Sequence, residues 1–187
     1  MNINDAQRDV RSIFLGGFAG QLVSGLVWLL SAALATWQSP KTAIIAVLVG
    51  GFFIFPLTQL LLRLMGRPAS LPKGHPMNAL GMQVAFTLPF NLPLVAAATL
   101  YRLNWFYPSL MIALGTHYLP FIFMYGMPQF GVLAALLIGA GLTIGLYMQS
   151  SVFSLGAWLT ALILLLFAFI VRSVAQRESK RAQPIGR

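Results

Sequence analysis

The chain has 187 residues, of which 58% are hydrophobic and only 8% charged, whereas a soluble globular domain carries about 25% charged residues. It has no cysteine, which excludes disulfides, thiolate zinc sites, iron–sulfur clusters and cysteine nucleophiles, and no cofactor or metal is expected. The formal net charge of +9 does not indicate a nucleic-acid partner, because the basic residues flank apolar runs and no basic region interleaved with stacking aromatics lies outside them.

Six apolar runs follow one another at residues 13–36, 42–65, 77–100, 106–124, 130–148 and 152–174. Each is near the roughly 20 residues that cross a hydrocarbon core about 30 Å thick. The expected fold is therefore all-α and transmembrane, a six-helix polytopic bundle, with residues 1–187 forming a single integral membrane domain. Barrel strands would instead alternate apolar and polar residues over about ten positions, and "LLLFAFIV" (Leu164–Val171) does not.

The first run is longer than the core of a cleaved signal, and its lead "MNINDAQRD" carries two acids where a signal would be basic, so it is read as a retained helix. Within it, Gly16, Gly20 and Ser24 recur at spacing four and permit close approach of a neighbouring helix. Gly141 and Gly145 do the same in the fifth run. Contacts inside one bundle are the first reading of this pattern, and a homo-oligomer seam is the second.

Runs two, three and four contain prolines: Pro56, then Pro89 and Pro93, then Pro120. Each removes a hydrogen bond to the carbonyl four residues earlier, which frees those of Phe52, Ala85, Pro89 and Thr116. These spans are expected to be proline-interrupted, and backbone freed at membrane depth must find side chains, water, a neighbouring helix or a ligand. Run three also carries Gln83, Thr87 and Asn91 at spacing four, one flank of an undistorted helix, which is expected to face the bundle or a cavity.

Connections set the orientation. Ten basic residues fall on the side of the two termini and of the Pro- and Gly-rich loop "GRPASLPKGHP" (Gly66–Pro76), while only Lys41 and Arg102 fall on the other. The positive-inside bias places both termini in the cytoplasm, with anionic lipid headgroups as partners of that face. On the opposite side, Trp37 and the aromatics of "YRLNWFYP" (Tyr101–Pro108) have the composition of an interfacial belt.

No Asp or Glu lies in any run; the three acids are Asp5, Asp9 and Glu178. Intramembrane hydrolysis generally needs a carboxylate, a metal or an activated nucleophile, so no catalytic residue is assigned and no enzyme is expected. What remains is neutral polarity. With a rise of about 1.5 Å per residue, Gln21, Gln59, Gln83 and His117 come out roughly 9–12 Å from the cytoplasmic end of their spans, and Asn91 nearer the midplane. His117, with no carboxylate to pair with, is expected to be neutral and to use carbonyls, hydroxyls or amides. The candidate ligand-binding set is His117, Asn91, Thr87, Gln83, Gln21, Gln59 and Thr116, with the freed carbonyls beside them.

The stretches "GGFAGQLVSGLVWLLSAAL", "FIFPLTQLLLRLMGRPASLPKGHP", "NWFYPSLMIALGTHYLPFIFMYGM" and "FSLGAWLTA" together resemble a family of uncharacterised multi-pass bacterial membrane proteins over nearly the whole chain. The resemblance implies a bacterial cytoplasmic-membrane location and carries no established activity or binding residue. The functional expectation thus comes from the residues: a transport or permeation protein for an uncharged or weakly polar solute. The alternative is a non-transporting protein that binds a lipid, a quinone or a partner helix.

Overall fold

The computed structural model describes residues 2–148 and 152–182, with side chains to residue 178. Seven α-helices follow in order: α1 (Ile3–Phe14), α2 (Phe18–Trp37), α3 (Pro40–Leu64), α4 (Met77–Tyr101), α5 (Phe106–Tyr125), α6 (Gln129–Tyr147) and α7 (Leu155–Ala182). Among the described residues six helical stretches are long and apolar enough to cross a membrane. The chain is an all-α, multi-pass membrane protein.

The first span differs from the expectation. Residues 13–36 do not form one helix, because the backbone turns left-handed at Leu15 (φ 51), Gly16 (φ 67) and Gly17 (φ 90). These three residues separate α2 from α1, a 12-residue amphipathic helix. Its start is capped by Asn2, whose side chain accepts from the Asp5 N–H at 2.9 Å, a device worth about 1 kcal/mol. Ala6 and Val10 are buried, while Arg8 and Asp9 on the other face are exposed. The "lead" is thus a structural element, with Arg8 and Asp9 exposed and Arg11 turned to the bundle.

Two groups of three helices make the bundle. α2 packs against α3 and α7, and α5 packs against α6 and more lightly against α4. α7 also touches α6 and α5, which joins the two groups. α3 and α4 lie at the periphery: only 6% and 11% of their apolar windows are buried, against 39–50% for the others. Exposed Phe52, Phe55, Phe90 and Leu94 supply the surface expected against acyl chains.

Short connections are locally determined. Ser39 accepts from the Thr42 N–H at 3.2 Å with Pro40 at the first position of α3, and Gly126 (φ 61) ends α5 with N–H bonds back to Ile122 and Phe123. Of the aromatics expected at an interfacial belt, Trp37 is 72% exposed and edge-on to Trp158 at 6.0 Å, and Tyr101 is exposed under the Arg102 guanidinium. Phe106 and Tyr107 are buried instead. Tyr107 is fully buried, its hydroxyl 2.7 Å from Ser31 Oγ, and Ser31 in turn donates to the Ala43 carbonyl. This chain of hydroxyls ties α5 to α2 and α3, and turns an expected anchor into a core residue.

The expected interruption of spans two to four is not seen: α3, α4 and α5 run through Pro56, Pro89, Pro93 and Pro120 as continuous helices. One missing bond per proline leaves the rest of the hydrogen-bond ladder intact, and in lipid no alternative backbone partner competes with it.

Candidate binding site

Within the spans, the structure brings together three of the seven candidate residues, on the seam between α4 and α5. His117 Nδ1 lies 2.8 Å from Thr87 Oγ1. Thr87 Oγ1 donates to the Val84 carbonyl at 2.8 Å, one turn back on its own helix, and this carbonyl also faces the His117 ring. A hydroxyl has one proton to give. With that proton committed to Val84, the Thr87 oxygen accepts from His117, so Nδ1 carries the ring proton and Nε2 carries a lone pair. Asn91 lies one turn further along α4, and its Nδ2 donates to the Thr87 carbonyl at 2.7 Å. All three residues are half-buried.

The ring is fixed from the other side by aromatics. Phe121 and Tyr118 sit 5.2 and 5.6 Å from His117, centroid to centroid, and continue into a buried cluster with Tyr125 and Phe130. The seam therefore presents an oriented imidazole acceptor, an amide oxygen on Asn91 and apolar walls, without a charge. Among the described residues no three His, Asp or Glu side chains converge.

The remaining candidates go elsewhere. Gln83 is exposed on α4, so the flank that carries Thr87 and Asn91 inward does not carry Gln83 with them. Thr116 is exposed and its hydroxyl donates to Ala113 within its own helix. Gln59 is half-buried on the peripheral α3. Gln21 is buried on α2, 2% exposed. Equal depth did not produce one pocket, because depth along an axis says nothing about the rotation of each helix about it.

The freed carbonyls also behave differently from the expectation. The side chains near them bond ordinary ladder carbonyls, Thr87 that of Val84 and Asn91 that of Thr87, and His117 takes the Thr87 hydroxyl rather than the Thr116 carbonyl. Ser31 is absent from the candidate set and Ser24 enters the sequence reading only as a small packing residue, yet Ser24 stands opposite the Tyr118 hydroxyl. Their signal was available: Gln21, Ser24, Trp28 and Ser31 recur at spacings of three and four, one stripe of α2, and all four are buried.

A second feature is purely aliphatic. A groove of about 450 Å³ runs along the α2–α3 surface, lined among others by Leu22, Leu26, Leu30, Leu57, Leu60 and Leu64.

Comparison with known proteins gives one match. Residues 3–173 match the model of DUF7010, described as a family of unknown function. No curated protein and no solved structure matches.

Proposed function

This chain belongs to the DUF7010 family, a family of unknown function, and on that premise we propose that it binds an uncharged hydrogen-bond donor at the α4–α5 seam and lets it cross the bacterial cytoplasmic membrane. Both termini and the basic loop at residues 66–76 face the cytoplasm in this reading, as the charge asymmetry supports. The observation that carries the proposal is the 2.8 Å contact between His117 Nδ1 and Thr87 Oγ1. It leaves Nε2 as an acceptor at membrane depth, where a ligand hydroxyl or amide N–H is the natural complement. The absence of any carboxylate in the spans supports an uncharged solute over a cation, since a buried charge without a counter-charge is costly. The peripheral position of α4, held mainly by α5, supports a seam that opens.

Proteoliposome swelling with glycerol, erythritol, urea and formamide tests this. At least one solute is expected to enter faster than into protein-free vesicles, and both His117→Phe and Thr87→Val are expected to slow that entry about tenfold, the worth of one neutral hydrogen bond of roughly 1–1.5 kcal/mol. No acceleration for any solute, or full flux through His117→Phe, contradicts it.

The α2–α3 groove favours a second reading, in which the protein holds a lipid or quinone. Its lining is wholly leucine and valine and it opens sideways to the surface, which suits an acyl or isoprenoid chain and offers nothing to a polar solute.

A further inference from the structure

Gln21 poses a separate problem. It is 2% exposed, and neither its amide oxygen nor its amide nitrogen has a hydrogen-bond partner. A buried amide left unpaired at both ends is among the rarer features of a folded protein. Gly17, the left-handed residue just before α2, and Ser24, one turn beyond Gln21 on α2, flank it along the chain. The position a Gly17 Cβ would take lies 3.7 Å from the Tyr125 hydroxyl and 3.2 Å from the Phe130 ring, and Ser24 faces the Tyr118 hydroxyl. On the adjoining face, Gly20 approaches Thr58 of α3, whose hydroxyl is likewise buried without a partner.

We propose that Gln21 is the anchor of a second, interior binding site, between α2, α3 and α5, for a small uncharged molecule that presents a donor and an acceptor side by side, as an amide does. A primary amide side chain offers one carbonyl and two N–H donors in a plane, and a second amide pairs with that edge through two parallel hydrogen bonds. Thr58 lies beside Gly20 and the Tyr125 hydroxyl and Phe130 ring beside Gly17, with Ser24 opposite the Tyr118 hydroxyl, so polar groups and an aromatic wall stand at the positions on either side of Gln21, the mixture typical of small-molecule sites. With no acid in any span, a cationic guest would find no counter-charge. Its anchor, Gln21 on α2, is separate from His117, Thr87 and Asn91, although the Tyr118–Tyr125–Phe130 cluster lies between the two.

Thermal unfolding of the purified full chain in detergent, with and without acetamide, tests the proposal. An unpaired amide contributes nothing to stability that its removal would forfeit, so Gln21→Leu is expected to melt no lower than the wild type. Acetamide at about ten times its dissociation constant is expected to raise the melting temperature of the wild type by about 3 °C and to leave Gln21→Leu unmoved. If Gln21→Leu does not accumulate folded, Gln21→Met, closer in shape, takes its place. A variant that melts well below the wild type without probe shows a structural amide. Equal shifts in both proteins, or none in either, show a site that holds water alone or nothing. Each of these outcomes overturns the proposal.

Discussion

Gly141→Val is expected to remove most of the folded protein, with a loss of about 3 kcal/mol or more. The α5–α6 pair makes the most extensive contact in the bundle, and three glycines let its backbones approach. A Cβ at Gly141 would lie 2.8 Å from the Pro108 carbonyl oxygen, 3.0 Å from Ile112 Cγ1 and 3.2 Å from Met111 Cβ. At Gly115, further along α5, a Cβ would meet Ile138 Cγ1 at 2.6 Å and the Ala134 carbonyl at 3.0 Å on α6. At Gly145 it would meet the Trp105 ring at 2.9 Å. A flexible side chain can retreat, but the Pro108 carbonyl is backbone at the start of α5, so two helices must separate. Overpacking costs typically 1–3 kcal/mol and more where backbone has to move, and total stabilities are only about 5–15 kcal/mol. Gly139→Val, two residues away on the opposite face of α6 and with nothing within 4 Å of its Cβ, is the matched control, expected to change stability by about 0.5 kcal/mol or less. Unfolding followed by circular dichroism in detergent reads both.

The second large effect concerns α1. Arg11 is the residue that fastens this helix to the bundle: its Nε lies 2.8 Å from Glu178 on α7, and its Nη1 donates to the Tyr125 carbonyl at the end of α5. Gln7 adds a bond to the Phe123 carbonyl at 2.6 Å. Carbonyls in the last turn of a helix have no partner within it, and they carry partial negative charge that favours a cation. Arg11→Ala is expected to cost about 2 kcal/mol, the scale of hydrogen bonds to a charged donor. Glu178 is half exposed, so Glu178→Ala should cost about 1 kcal/mol or less. Read by amide exchange, α1 should lose roughly 30-fold in protection in Arg11→Ala and only a few-fold in Glu178→Ala. Equal effects would mean that the ion pair, and not the helix-end carbonyl, holds α1 down.

Hydropathy made the spans legible to within a few residues, since a run that must cross lipid has its length set by the bilayer. α1 escaped that reading because it is short, carries Asp5, Arg8, Asp9 and Arg11, and buries only a narrow stripe. The clues were Asn2 as a cap, the spacing of Ala6 and Val10, and the pair Gly16–Gly17. Gly16 was read as part of a helix-packing pattern along the first span. It does lie close to a neighbouring helix, where a Cβ would be 2.8 Å from the Val171 carbonyl of α7, but as a left-handed residue at a turn and not within an α-helix. Gly141 and Gly145 do pack as that pattern suggests.

The site was legible in type and not in arrangement. His117, Thr87 and Asn91 were identified as polar groups at membrane depth, and the structure joins them. Gln83 and Thr116, equally polar and equally deep, point away, because a helix at the edge of a bundle has more outward than inward positions and sequence alone does not rank them. The prolines suggested broken helices, yet the ladder tolerates each single loss.

The hydrogen-bond direction at His117 is the point on which the functional account turns, and nitrogen-15 NMR of the imidazoles reads it directly. The chain has only two histidines, and the structure predicts opposite tautomers for them. His75 accepts the Met77 N–H on Nδ1 at 3.2 Å, so its proton belongs on Nε2, whereas His117 donates from Nδ1 to Thr87. At about pH 9, well above the ordinary range of histidine titration, the account predicts one ring protonated on each nitrogen. It assigns to His117 the spectrum with a bare Nε2, and Thr87→Val should perturb that spectrum alone. A His117 ring protonated on Nε2, with its acceptor turned inward to Thr87, would contradict it.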